Sequence, residues 1–250
     1  MANPGKTYVF ILSTMRSGST LLKALLAEAP DVSNIPEFNF HKIKEAKHIR
    51  KLQKLSDHPI LVLKKPAWFQ EAYYYPKVPR VKNWRIIVLT RDVHHVVASI
   101  RKMSFGRFEP VFPGFIDHWF ANEYWSRVYR RIHRKFGPHR NLPNVTWIRY
   151  EDLITHPIPE TKRLFEFIGS ERIAGTDRYS EPEDYDWRWG SDDGGPTIQT
   201  LQVQPPKPIS EKKQDILDRV TRYRRVSEIR TLLGYIEPRV TPHPNDQPVQ

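Results

Sequence analysis

The 250-residue sequence contains no cysteine and no long hydrophobic run. The absence of cysteine excludes disulfide scaffolds, thiolate zinc sites, iron–sulfur ligation and cysteine nucleophiles. The first apolar run, at residues 8–12, is far shorter than the roughly 20 residues of a transmembrane helix and is also short for the core of a signal peptide. We therefore expect a cytoplasmic protein without a transmembrane segment.

Negative charge is scarce relative to positive charge. The chain has 40 Lys and Arg against 28 Asp and Glu, a formal net charge of +12. Such an excess suits nucleic acid, a membrane face, an anionic polysaccharide or a small polyanion, and it also fits an Arg-rich solvated surface. The basic run at 127–135 has no helix-turn-helix, zinc-finger or RNP-like pattern beside it, so no nucleic-acid partner is expected. A basic nucleic-acid-binding protein remains the non-enzymatic alternative.

Short apolar segments alternate with helical patterns along the chain. Strands are predicted at residues 8–12, 60–63, 86–89 and 145–148, and helices at 21–29, 116–136, 210–220 and 223–233. Because the strands are continuously apolar, they indicate a parallel sheet covered on both faces. We predict a three-layer α/β/α fold in a single domain over residues 1–236. The Pro-rich residues 237–250 are predicted to form a disordered tail.

A loop rich in hydroxyl groups follows the first predicted strand. A strand that turns tightly into a helix leaves backbone N–H groups unpaired, and these donors and the helix dipole bind anions. Gly18 allows close approach of the backbone to a ligand, and Arg16 adds a permanent charge. Further donors in the loop are the hydroxyl groups of Ser17, Ser19 and Thr20. The alternative interpretation is that Ser19 only caps the helix.

The type of anion is limited by what the loop lacks. The P-loop of ATPases ends in Gly-Lys-Ser/Thr, whereas Ser19 follows Gly18 here, so a magnesium nucleoside triphosphate fits poorly. A second anion site is predicted where Arg91 ends the third strand and Ser99 lies two turns into the next helix. Ligands of doubly wound sheets bind at the carboxyl ends of the strands, so both sites are expected to flank one crevice. Taken alone, Arg91-Asp92 is better explained as a surface ion pair.

Together these residues resemble the family of sulfotransferases that use 3′-phosphoadenylyl sulfate (PAPS). Residues 14–22, including Leu21, are similar to the family loop that binds the 5′-phosphosulfate. Arg91 and Ser99 match the family's Arg and Ser at the 3′-phosphate. Later segments with family resemblance are residues 150–153 and 165–169, and the similarity covers about residues 7–169.

The resemblance implies transfer of a sulfuryl group from PAPS to a hydroxyl of a carbohydrate, lipid or natural product. The partner would be a small-molecule or glycan acceptor, 3′,5′-ADP (PAP) would be released, and no metal would be required. By the same resemblance, Arg16 stabilises charge on the leaving phosphate, and Ser99 grips the 3′-phosphate and takes part in catalysis. The oligomeric state is left open.

The candidate catalytic residues also come from the resemblance. The stretch at 63–69 is similar to one in glycosaminoglycan sulfotransferases, where the first lysine, here Lys64, stabilises the transition state. Glu37 matches the catalytic glutamate of the same enzymes, although Asn39 stands where they have histidine. The alternative for Glu37 is that it begins the next helix, where a carboxylate favours the helix dipole.

Several features are left unassigned. The family's C-terminal cofactor loop has no clear copy, and the candidates for its positive charge are Lys207, Lys212 and Lys213. The adenine-stacking residue is not identified.

Asp184 and Asp186 have the Asp-x-Asp spacing of metal-dependent glycosyltransferases, the competing enzyme class, although a solvated acidic turn explains them more simply. Trp187 and Trp189 are consistent with two roles: contact with an apolar or sugar acceptor, or packing within the protein.

Overall fold

The computed structural model describes residues 5–42, 54–102, 114–183 and 197–236. Within these ranges the strands form one parallel sheet in the order β2-β1-β3-β4. Their bounds are Thr7–Leu12 for β1, Ile60–Lys64 for β2, Trp84–Thr90 for β3 and Val145–Arg149 for β4. All the predicted strands are confirmed, with ends extended because hydrogen-bonded pairing continues past the apolar residues.

Helices follow the strands as predicted. Their bounds are Ser19–Leu26 for α1, Val93–Arg101 for α2, Phe115–Asp117 for α3, Ser126–Phe136 for α4, Tyr150–Thr155 for α5, Pro157–Ile168 for α6, Glu211–Val220 for α7 and Arg224–Leu232 for α8. A π-helix, His118–Trp125, joins α3 to α4. Short 3₁₀ turns include Phe40–Lys42 and Phe69–Tyr73.

The sheet is covered on both faces. On one face Tyr8, Phe10 and Leu12 of β1 share a core with α2, α4, α7 and α8. On the other face Val9 and Ile11 pack with α1 and α6. Because successive strand residues point to opposite faces, one short apolar strand contributes to two cores. The predicted three-layer α/β/α fold is therefore confirmed.

The long helical stretch from α3 to α4 needs its π-helix to keep one face buried. In an α-helix, four residues turn about 40° past a full revolution, so a stripe in steps of four moves around the helix. A π-helix has wider turns, so each residue rotates less about the helix axis. The eight-residue π-helix therefore turns the stripe part of the way back towards the buried face. The buried residues at this spacing are Ile116, Phe120, Tyr124, Val128 and Ile132.

Some predictions fall outside the described residues. These are the tail at 237–250 and the side chains of Asp184, Asp186, Trp187 and Trp189. Among the helices that the structure does describe, none combines the length and the apolar character needed to cross a bilayer.

Candidate active site

The loop between β1 and α1 is built around Gly18. This residue is the N-cap of α1, in the left-handed conformation with φ 90° and ψ 19°, and no side chain in the described part of the chain caps the helix. The alternative that Ser19 acts as the cap is therefore wrong. A Cβ atom on Gly18 would lie 2.3 Å from the ring of Tyr150, so only glycine fits. The first N–H groups of α1 have no acceptor within the helix, which makes them available to an anion.

The two predicted anion sites are in direct contact. Nε of Arg16 donates a 2.9 Å hydrogen bond to Oγ of Ser99 in α2. Nη1 of Arg91 donates a 2.9 Å hydrogen bond to the carbonyl oxygen of Arg16. Because β1 and β3 are neighbours in the parallel sheet, their carboxyl ends carry both clusters to the same edge.

Arg91 is not part of a surface ion pair. Its guanidinium lies 4.1 Å from the centre of the Tyr150 ring, and its Nε is buried without a hydrogen-bond partner among the described residues. Asp92, the neighbouring carboxylate, binds Arg230 of α8 instead, through hydrogen bonds of 2.9 and 2.8 Å. Among the described residues Arg91 therefore contacts a carbonyl and an aromatic ring but forms no ion pair with a carboxylate, an environment that suits an anionic ligand.

Positive charge accumulates beside Arg91. Helix α7 packs on α2, and burial together with the charges of Arg91, Lys102 and Lys207 lowers the pKa of Lys213. Burial, followed by the charges of His94 and Arg91, lowers the pKa of His95 to about 3. Of the unassigned C-terminal lysines, the structure thus brings Lys213 into the electrostatic environment of the Arg91 site.

Glu37 and Lys64 meet on the other side of the loop. Nζ of Lys64 donates a 2.9 Å hydrogen bond to Oγ1 of Thr20 and lies 3.6 Å from Oε2 of Glu37. Nζ of Lys65 lies 3.2 Å from Oε1 of the same carboxylate. Both lysine side chains are buried, whereas the Glu37 side chain is 24% exposed. Glu37 precedes the 3₁₀ turn at Phe40–Lys42, so it does not begin a helix.

Two predicted cofactor-binding side chains turn inward. The hydroxyl of Ser17 is buried, 2.6 Å from Oγ1 of Thr14 and 3.1 Å from the hydroxyl of Tyr129. The side chain of Leu21 packs in the core beneath α1. The expectation that the Ser17 hydroxyl adds a donor for the ligand is therefore replaced by a role within the loop. For both residues, the group left to meet a ligand is the backbone N–H.

Sequence reasoning missed the residues that support this loop from below. The hydroxyl of Tyr124 accepts a 2.7 Å hydrogen bond from the N–H of Met15, and the hydroxyl of Tyr75 accepts one of 3.1 Å from the N–H of Ser13. Lys65, the second partner of Glu37, was also missed. The available signal for Tyr124 was its position on the buried stripe of a helical stretch, where a hydroxyl must find a polar partner.

Fold and site together define an α/β protein with the side chains of Arg16, Arg91 and Ser99 gathered at the carboxyl ends of β1 and β3. A family model described as a sulfotransferase domain matches residues 6–180, which is more than half of the chain. The chain therefore belongs to the sulfotransferase family, whose chemistry is sulfuryl transfer. This membership favours sulfuryl transfer over the glycosyltransferase and nucleic-acid alternatives. No curated protein matches the sequence.

Solved structures of sulfotransferases share the fold. The sulfotransferase domain of the curacin biosynthetic pathway is 19% identical with a TM-score of 0.53, over 86% of this chain and 98% of that domain. Mouse sulfotransferase SULT7A1, complexed with PAP, is 16% identical with a TM-score of 0.55, over 92% of this chain and 89% of that one. A sulfotransferase from Alicyclobacillus acidocaldarius is 12% identical with a TM-score of 0.52, over 94% and 97% of the two chains. The resemblance inferred from the sequence is confirmed at the level of the family.

Proposed function

We propose that this protein transfers the sulfuryl group of PAPS to a hydroxyl of a carbohydrate, lipid or natural-product acceptor. The observation that carries the proposal is the contact between the two anion sites. Arg16 bonds to Ser99, and Arg91 bonds to Arg16, each at 2.9 Å. A nucleotide with phosphate groups at its 3′ and 5′ positions has two separated anionic ends. The adjacent cationic clusters at Arg16 and Arg91 suit a ligand of this kind.

The residues present fit such a nucleotide. The guanidinium of Arg91, which pairs with no carboxylate among the described residues, has the charge and the donor groups that a 3′-phosphate requires. The N–H groups at the start of α1 and the charge of Arg16 suit the 5′-phosphosulfate. The relative from mouse that shares the fold is complexed with PAP, the product that PAPS leaves behind.

In the proposed reaction the acceptor oxygen forms a bond to sulfur as the bond from sulfur to the phosphate oxygen breaks. Glu37 receives the proton of the acceptor hydroxyl, and PAP leaves. Arg16 and Lys64 stabilise the negative charge that develops around the transferred group, since preorganised cations are effective where charge appears. Positioning accounts for much of the remaining acceleration, as in other in-line displacements.

Lys213 is proposed as a further cofactor-binding residue. The family's C-terminal loop, which carries positive charge to the cofactor, has no clear copy in this sequence. Lys213 lies close enough to Arg91 and Lys207 for their charges to lower its pKa. Repulsion of this kind is relieved when a phosphate group binds between the cations.

A comparison of ligands tests the proposal, with PAP added in EDTA and the two metal-dependent nucleotides added in buffer without EDTA. PAP at 100 times its dissociation constant should add about 2.7 kcal/mol of stability and raise the melting temperature. ATP with magnesium and UDP with manganese should have little effect. The same preparation, given PAPS and a panel of carbohydrate, lipid and natural-product alcohols, should release PAP with at least one of them.

The matched control replaces lysines by methionine. Lys64→Met should slow PAP release, whereas the exposed Lys162→Met on α6 should leave it unchanged. A melting shift confined to UDP with manganese would support the glycosyltransferase instead. No shift with PAP would refute the proposal.

A further inference from the structure

Three aromatic side chains of one helical stretch reach the strand ends that carry the Arg16 loop and Arg91. Tyr124 and Trp125 end the π-helix, and Tyr129 lies in α4; we call these three the aromatic clamp. All are fully buried. Their polar hydrogens are donated to the backbone carbonyl groups of Ala67, Arg91 and Leu89, respectively. The clamp therefore ties the end of β3 and the segments that follow β2 and β3 to one helical stretch.

The two tyrosines of the clamp also hold the loop between β1 and α1. A hydroxyl has one hydrogen and two lone pairs, so it can donate to a carbonyl and still accept. The oxygen of Tyr124 accepts from the N–H of Met15 at 2.7 Å. The hydroxyl of Tyr129 lies 3.1 Å from Oγ of Ser17 and 3.3 Å from Oγ1 of Thr14. Each tyrosine thus connects a strand end to the loop above it.

The residue held in this way, Arg16, has an unfavourable backbone. Its φ of 61° lies in the left-handed region, which L-residues other than glycine rarely adopt. Such a conformation persists only where the surroundings fix it. The N–H of the preceding Met15 is fixed by Tyr124, and the carbonyl of Arg16 itself is fixed by Arg91. These bonds act on both sides of the left-handed residue.

We infer that Tyr124 and Tyr129 are positioning residues that keep the 16–20 loop in its anion-binding shape. Tyr124 acts through Met15 on the backbone of Arg16, and Tyr129 acts through Ser17. The π-helix ends at Tyr124 and Trp125, and both side chains bond to backbone carbonyl groups that follow strands. The expected effect of the clamp on ligand affinity rests on the proposed function. Its expected effect on the conformation of the loop is independent of that function.

Hydrogen exchange of the ligand-free protein tests the loop directly. In Tyr124→Phe the amides of residues 15–18 should exchange about 10-fold faster, since a lost hydrogen bond changes an opening equilibrium by about that factor. Tyr179→Phe, which removes another buried tyrosine hydroxyl away from the loop, should not change their exchange. Unchanged exchange in Tyr124→Phe overturns the inference. If that variant does not fold, Tyr129→Phe takes its place with the same expected direction.

Binding of two mononucleotides separates positioning from general destabilisation. For Tyr124→Phe, affinity for 5′-AMP should fall about 10-fold. Affinity for 3′-AMP should fall by a smaller factor, since Arg91 contacts the loop only through the carbonyl of Arg16. Equal losses for both nucleotides, or none for 5′-AMP, count against the clamp. A wild-type protein that does not bind PAP defeats the proposed function, and the exchange experiment then decides the inference by itself.

Discussion

Gly18 lies so close to the ring of Tyr150 that a side chain at position 18 would overlap it, with a Cβ only 2.3 Å from the ring. The same ring faces the guanidinium of Arg91 at 4.1 Å. Tyr150 therefore fixes the spacing between the loop after β1 and the cation after β3. A change at Gly18 should disturb both anion sites at once.

Gly18→Ala should be strongly destabilising and should weaken PAP binding, because it combines a clash with a left-handed backbone of φ 90°. Gly114→Ala is the matched control, since Gly114 has φ 78° but open space where its Cβ would lie. The control should lose only the free energy of unfolding that an alanine costs in the left-handed conformation, about 1–2 kcal/mol. Urea denaturation and PAP titration of both variants provide the measurement. Equal losses at the two glycines would show that the contact with Tyr150 is unimportant.

Glu37→Gln should reduce kcat while leaving PAP affinity nearly unchanged. The carboxylate lies 3.6 Å from Nζ of Lys64, on the side of the loop away from Arg91. Loss of a general base costs about 10²–10⁴-fold, or roughly 3–5.5 kcal/mol of barrier. Glu166→Gln, on an exposed position of α6, is the control and should keep full activity. Near-normal turnover of Glu37→Gln would assign the base to another residue.

Asp92→Asn should destabilise the fold by about 3–5 kcal/mol, because it breaks a buried pair and leaves Arg230 charged. Asparagine can still cap α2, so the capping role of Asp92 is preserved. Asp152→Asn is the control: it breaks a similar two-bond pair with Arg149, but one that is exposed, and should cost less than about 1 kcal/mol. The free energies of unfolding in urea give the comparison. Similar losses in the two variants would contradict the assigned burial.

His95 should make stability depend on pH below neutrality. Burial first, then neighbouring positive charge, lowers its pKa from 6.5 to about 3 in the folded protein. Between these values the unfolded chain binds a proton that the folded chain does not, so stability present above pH 6.5 is lost as the pH falls towards 3. One proton corresponds to at most about 1.4 kcal/mol per pH unit, and partial exposure of the ring reduces this.

The measurement compares the wild type with His95→Phe in urea at pH 7.5 and 5.5. The wild type should lose more stability than the variant over this interval. Burial raises the pKa of Glu151, but that group is common to both proteins and its contribution cancels. An identical pH dependence of the two proteins would contradict the lowered pKa of His95.

The sequence predicts those parts of the site that depend on local pattern. Apolar runs locate the strands, and parallel strands place their carboxyl ends together, so the proximity of Arg16 and Arg91 follows from topology. Glu37 and Lys64 were found only through family resemblance. Neither the local sequence pattern nor the family resemblance predicts that Lys65 shares the Glu37 carboxylate with Lys64. That contact depends on where the segment after α1 places Glu37 relative to the end of β2.

The aromatic clamp could not be predicted from the sequence, because its residues are far from the loop along the chain. Met15 and Tyr124 are 109 residues apart, and no local pattern relates a loop amide to a hydroxyl at that separation. Ser17 shows the same limit at short range. Its residue type is right for a ligand donor, yet the left-handed turn at Arg16 directs its hydroxyl to Thr14 and Tyr129.

The central claim is that the Arg16 loop and the Arg91 cluster hold opposite ends of one nucleotide, and the affinities of PAP and 5′-AMP test it most directly. In the wild type, the 3′-phosphate should strengthen binding about 10–150-fold, which corresponds to charged hydrogen bonds of roughly 1.5–3 kcal/mol. Arg91→Ala should remove most of this advantage, whereas Arg85→Ala, at the opposite end of β3 beside Phe167, should keep it. If PAP and 5′-AMP bind the wild type with equal affinity, the claim is contradicted.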